Sequence, residues 1–296
     1  MKRLLVCLLL AGALQAQVFT DQWTGAAAGA AAGGAQVAVN QSLWSHNYNP
    51  AGLANTENMG AGFAFTNPGT YGFASLSMFS AALPLSEKWG TLSLHGDMLS
   101  VKNGDAVLSS ENALGISHGV HLLKDLRSSL SLGYSLNFLF VNYGRSAGLS
   151  GDGSDGIDLG SVSGLGMDVG LQASLRDRAW MGIAVKNINA PKFGSSETEA
   201  EALRKFVVGL GYSPVLTDAR PPFEIEKVFG RDAQYRAGLE YAIMEWFRLR
   251  AGFSTYPSQL TFGFGVEKSF ISVDYAFVSH PVLNGTHVFT LEIHKP

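Results

Sequence analysis

The sequence predicts an all-β protein, an antiparallel transmembrane β-barrel of about fourteen strands with an N-terminal hatch or plug inside it. Three observations carry this prediction. Charged residues make up only 15% of the 296 residues, while apolar residues make up 46%, with 35 Gly and 18 Phe; soluble domains carry nearer a quarter charged residues. There is no apolar run of about 18 residues, so helical spanning is excluded. From about residue 60 to the C-terminus, large apolar residues alternate with small or polar ones in segments of about ten residues, the period of a strand with lipid on one face. The net charge of -3 and the absence of a Lys/Arg cluster give no case for a nucleic-acid partner.

The first 16 residues read as a secretory signal. Lys2 and Arg3 are the charged start, Leu4 to Leu14 the apolar stretch, and Ala16 the residue before the cut. Cys7 would leave with the signal, so a mature chain has no cysteine for disulfides, thiol chemistry or metal ligation. Residues 17–59 read as a lead-in followed by the hatch. The lead-in is Ala/Gly-rich and carries Trp23; from Gly33 onward come Trp44 and Tyr48 and then Asn49-Pro50-Ala51-Gly52. Pro50 biases Asn49 towards extended geometry, and Gly52 suits a tight turn. Trp44 and Tyr48 are the candidate ligand-proximal aromatics.

Residues 60–296 read as the barrel. The alternation is clearest at Leu130, Leu132, Tyr134, Leu136, Phe138 and Phe140, interleaved with Ser129, Ser131, Gly133, Ser135 and Asn137. Further clear segments run from Leu165 to Gln172, Tyr235 to Tyr241, Phe247 to Phe253, Leu260 to Glu267, Ile271 to Phe277 and Phe289 to Ile293. Weaker ones lie near 60–67, 71–83, 89–100, 111–122, 179–189, 204–213 and 222–230. The last is the weakest, and without it the count is twelve. Connections alternate short and long, as periplasmic turns and extracellular loops do. The expected long ones are Val101–Ser110, Tyr143–Gly160, Ala190–Leu203 and His280–Asn284.

Cost decides which face meets lipid. A Lys or Arg on the lipid face at the bilayer midplane costs about 2–4 kcal/mol. The Leu/Phe/Tyr face therefore points outward. The face bearing Asp97, Asp168, Arg236, Glu240, Arg248, Arg250 and Asp274 points into the lumen, where these residues are candidates for a polar cluster. A soluble sandwich would bury the apolar face instead.

The segments Gly33-Gly34-Ala35, Val37-Ala38 and Asn49-Pro50-Ala51-Gly52-Leu53 resemble the hatch of FadL-type outer-membrane barrels. The C-terminal run resembles the PorV/PorQ branch of that group, through Arg236-Ala237-Gly238-Leu239-Glu240-Tyr241, Leu249-Arg250-Ala251-Gly252, Gly263-Phe264-Gly265, Asp274-Tyr275-Ala276-Phe277 and Gly285-Thr286-His287. The resemblance implies a fourteen-stranded barrel with an internal hatch in the bacterial outer membrane. It implies one of two roles: association with type IX secretion, with secretion-system or exported proteins as partners, or passive uptake of hydrophobic small molecules. The closer C-terminal match favours the first.

No enzyme, cofactor or metal is expected. The stretch Gly151–Gly160 clusters Asp152, Asp155 and Asp158 but lacks the spacing and closing Glu of a calcium loop. The seven His form no helical metal pair, with His118 and His121 on opposite strand faces. No G-x-S-x-G occurs.

Overall fold

The computed structural model describes residues 25–103, 106–144, 149, 155–158, 160–194, 200–214 and 219–295. The signal-sequence expectation, Trp23 and most of the aspartate-rich stretch 151–160 fall outside them.

A short helix α1 (Ala27–Ala31) and two 3-10 turns (Ser45–Asn47 and Pro50–Asn55) precede the strands. The wall is built from β1 (Gly60–Thr66), β2 (Ala74–Ser86), β3 (Gly90–Asn103), β4 (Ala106–Lys124), β5 (Ser128–Asn142), β6 (Ser161–Leu175) and β7 (Ala179–Lys186). A small separate ladder, β8 (Lys192–Phe193) with β9 (Ala200–Glu201), interrupts the series. The wall resumes with β10 (Lys205–Tyr212), β11 (Ala219–Arg220), β12 (Pro222–Val228), β13 (Ala233–Met244), β14 (Phe247–Ser254), β15 (Gln259–Lys268), β16 (Ile271–Val278) and β17 (Thr286–His294).

Each wall strand pairs antiparallel with its sequence neighbours, and β1 pairs with β17 to close the sheet. β11 and β12 both pair with β13 and are one stave interrupted at Pro221, which has no N–H to give. The barrel therefore has fourteen staves, and residues 222–228 do form one of them.

The exterior is apolar. Phe63, Phe138, Phe264, Phe289 and Leu291 all present their side chains to the surroundings. Aromatic rings run outward across neighbouring strands, Phe264 to Tyr275 at 5.5 Å and Tyr275 to Phe289 at 5.3 Å between centroids; such cross-strand pairs stabilise adjacent staves. Trp89, Trp246 and Phe270 stand exposed at the short turns, the place of an interfacial aromatic girdle. A continuous apolar exterior of this kind requires acyl chains around it. The apolar face is outside, opposite to a sandwich.

The connections follow the expected parity with one correction. The link between β3 and β4 is two residues, 104–105, because both strands run on past the sheet's mean height. Val101–Ser110 is thus mostly hairpin rather than loop. At the short end, Arg176 and Asp177 both take φ of 54°, as a tight two-residue hairpin turn demands.

β7 stops at Lys186, so the first half of β6 has no full partner strand. The chain beyond β7 continues along β6 instead. Ile188 N donates to Met167 O at 2.8 Å, and Met167 N donates to Asn189 Oδ1 at 3.0 Å. Phe193 then turns inward and packs with Leu139, Val141 and Ala202.

Residues 25–56 lie within the barrel, and 57–59 are exposed where the chain enters β1. α1 packs Ala27, Ala30 and Ala31 on Ala276, Val278 and Val288 of the wall. Alanine favours helix and lets the backbone approach closely. Gly33 and Gly34 stop it, with φ of 69° and 76°. The part of the lead-in from Gly25 onward is therefore inside the lumen as well.

Candidate functional site

Shape complementarity between inward wall glycines and the lumenal segment sets the floor of the site. Gly119, Gly133 and Gly170 stand in register on β4, β5 and β6; Gly182 pairs with Gly209, and Gly238 with Gly252. A Cβ on Gly133 would come within 2.2 Å of Ala51 N, one on Gly170 within 2.0 Å of Asn49 Oδ1, and one on Gly182 within 2.1 Å of Val37 O. These glycines form a shallow track that receives the backbone of the segment.

Asn49-Pro50-Ala51-Gly52 has a local physical account. Asn49 caps the turn that starts at Pro50, its Oδ1 accepting from Ala51 N at 3.1 Å, and Pro50 occupies a first-turn position where its missing N–H costs nothing. The Asn49 amide also donates to Val37 O and Leu171 O, both at 2.9 Å. Gly52 faces Asn40 O too closely for a side chain, with a Cβ placed at 2.3 Å.

Other ties follow the same logic, side chain on the wall to backbone on the segment. Thr261 Oγ1 donates to Ala31 O at 2.7 Å and Ser80 Oγ to Leu43 O at 2.6 Å. Gln172 Nε2 donates to Asn40 O at 3.0 Å. Glu224 accepts from the N–H groups of Gln36 and Val37, both at 2.9 Å.

On the long-loop side of this floor is a cavity of about 1040 Å³. His46, Asn47 and Tyr48 contribute to its base, and Pro68, Tyr256 and His280 to its mouth. By loop parity the mouth is extracellular. The walls above the base mix apolar side chains, Met78, Leu139, Val207, Val228 and Val278, with polar ones such as Lys205, Glu226, Gln234 and Gln259. Here the inward face departs from the small, polar set expected from the sequence. On β2, for example, Leu76 and Met78 point in and Ser75 and Ser77 point out.

The seven expected lumenal charges all lie on the inner face but form several groups. Asp168 accepts from Asn137 Nδ2 at 3.0 Å and from Asn187 N at 2.8 Å, and shares the cavity with Asp97. Arg236 sits between Glu224 and Glu226, 3.0 Å from each. On the periplasmic side of the glycine track, Arg250 bridges Glu240 at 2.7 Å and Asp274 at 2.5 Å. Arg248 pairs apart from these, with Glu267 at 2.7 Å.

Tyr48 lines the cavity, but Trp44 does not. Trp44 is sealed among Leu43, Ala64, Leu76, Met78 and Leu99, and its Nε1 donates to Glu292 at 2.7 Å. Its role here is to anchor the segment. Sequence reasoning missed Lys186, whose ammonium bonds Asn47 O, and the stack of His46 on His95 with ring centroids 3.8 Å apart. Burial holds the His46 imidazole below its ordinary range, and His95 and Lys186 push the same way. Burial pushes the Tyr48 phenol up, with Glu224 adding to it. Among the described residues no His/Cys/Asp/Glu group is arranged to hold a metal ion.

No protein-family profile and no curated protein matches the chain. Solved structures do. CymD, described as a monoaromatic hydrocarbon channel, superposes with a TM-score of 0.63 at 14% identity, over 94% of this chain and 98% of its own. The toluene transporter TbuX of Ralstonia pickettii gives 0.62 at 11% identity, over 93% and 100%. A Pseudomonas aeruginosa FadL homologue gives 0.54 at 12% identity, over 94% and 98%. The chain has the FadL-like outer-membrane barrel fold. With its apolar exterior, this fold places the chain in the bacterial outer membrane. At these identities the likeness is one of fold.

Proposed function

We propose that this chain is a passive channel for hydrophobic compounds, and that residues 25–59 act as its hatch. The observation that carries the reading is the cavity directly above that segment, which presents Met78, Leu139, Val207, Val228 and Val278 between an extracellular mouth and the base at His46, Asn47 and Tyr48. Apolar walls with a few placed polar groups are the usual build of a small-molecule site. The fold neighbours described as a monoaromatic hydrocarbon channel and a toluene transporter support the same reading. No reaction is assigned. The solute moves down its own gradient, and the hatch shifts or loosens to let it pass.

The secretion-associated reading, ranked first from the sequence, loses its main support. Its C-terminal motifs place Gly238 and Gly252 against the hatch backbone, Gly263 against the Ala31 side chain, and Glu240, Arg250 and Asp274 in one ion-paired group. Holding a hatch is a need common to both branches, so these residues favour neither. Secretion-system proteins as partners have no other support here.

Binding to the purified protein in lipid nanodiscs tests the proposal, with para-butyltoluene as the probe. Wild type is expected to bind it saturably, and Leu139→Trp or Val278→Trp, which fill the cavity at its apolar side chains, to abolish binding while the barrel stays folded. No saturable binding by wild type, or binding unchanged in both variants, would reject the cavity as the solute site.

A further inference from the structure

Three polar atoms of residues that line the base of the cavity make no hydrogen bond: His46 Nε2, Asn47 Nδ2 and Asp97 Oδ1. His46 and Asp97 are more than nine-tenths buried. Unpaired polar atoms at such depth are uncommon and cost about 1–3 kcal/mol each. A pure hydrocarbon in the cavity would leave all three as they are.

Their chemistry is specific. His46 Nδ1 lies 3.2 Å from Leu43 O. A carbonyl only accepts, so Nδ1 carries the ring proton and Nε2 is a bare acceptor. Asp97 Oδ1 is a second acceptor, and Asn47 Nδ2 is a donor. The surrounding charges are of both signs, Asp97, Asp168 and Glu224 against Lys186, Lys205 and Arg236, which gives no net attraction for an anionic head. A group that donates once and accepts once, without charge, matches the set.

We infer that the preferred solutes are amphipathic, an apolar body carrying a neutral hydroxyl, with the hydroxyl seated at His46, Asn47 and Asp97 and the body against the apolar side chains of the walls. The inference rests on the channel reading and adds the head group to it. The hydroxyl donates to His46 Nε2 or Asp97 Oδ1 and accepts from Asn47 Nδ2. A carboxylate has no proton to give to His46 Nε2. An alkane or alkylbenzene satisfies none of the three.

Three probes of matched shape separate the outcomes: para-butylphenol, para-butyltoluene and para-butylbenzoate, each titrated against the full-length protein in nanodiscs. Wild type is expected to bind the phenol about tenfold more tightly than the toluene isostere, the worth of one well-made hydrogen bond, and to bind the benzoate most weakly. His46→Leu and Asn47→Leu should each bring phenol and toluene to within about twofold of one another. Asn47→Leu guards against a folding defect, because the wall contact at Asn47 is made by its backbone carbonyl. Equal affinity for phenol and toluene in wild type, or a preference that survives both substitutions, would overturn the head-group assignment and leave the channel reading standing. Failure of every probe to bind would remove the channel reading itself.

Discussion

Asn49 Nδ2 donates to Leu171 O at 2.9 Å, so one side chain of the lumenal segment is held by a backbone carbonyl of β6. The same amide satisfies Val37 O and, through Oδ1, caps the following turn. Asn49→Ala removes all three bonds and takes the partner from the buried Val37 O, at a cost of about 1–3 kcal/mol where water cannot replace it. The expected result is a loosened hatch in an intact barrel. Single-channel recording in planar bilayers should show larger and noisier conductance than wild type, with the heat-modifiable mobility of the barrel on gels unchanged.

The glycine track makes a steric prediction. A Cβ on Gly133 meets hatch backbone at 2.2 Å, whereas one on Gly72 meets nothing within 4 Å. Gly133→Val is therefore expected to displace residues 50–54 and to expose them to added protease, and Gly72→Ala to behave as wild type. Cleavage within the segment, read by mass spectrometry, separates the two.

Arg236 compensates two buried carboxylates, Glu224 and Glu226, and Glu224 in turn holds the N–H groups of Gln36 and Val37. Arg236→Ala takes the ion pair from Glu224 and leaves Glu226 its 3.9 Å pair with Lys205, and it is expected to cost about 3 kcal/mol. Urea unfolding followed by tryptophan fluorescence should show a lower midpoint. Glu226→Gln in the same background should recover part of the loss, because Glu224 then no longer faces a second carboxylate.

Low pH should loosen the hatch through His46. Its imidazole is held neutral by burial and by the neighbouring His95 and Lys186, so its pKa in the docked state is below the ordinary histidine value. Docking is then fully stable above about pH 6.5 and weakens as pH falls below that value towards the docked-state pKa. Protease access to residues 45–55 measured against pH should rise on the acid side, and His46→Gln should flatten that rise.

Much of the fold was legible in the sequence because a lipid-facing strand must alternate. The run Leu130–Phe140 and its exposed counterparts read correctly, and loop parity oriented the barrel. The cavity was not legible. Near the extracellular end both faces of a stave are apolar, as at Leu139-Phe140-Val141, and alternation then carries no signal about which face lines the lumen. Glu224 and Glu226 sit on the stave with the weakest pattern, interrupted by Pro221. His46 and His95 lie 49 positions apart and meet only through the fold. Trp44 looked like a ligand contact because aromatics often are, but the fold seals it against β1 to β3.

Whole-cell uptake of a radiolabelled hydrophobic monoaromatic compound tests the central claim most directly, comparing cells without this chain, with wild type restored, and with Leu139→Trp restored. The account predicts that the initial rate falls when the chain is removed, returns with wild type and stays low with Leu139→Trp. An initial rate that is the same in all three would contradict it.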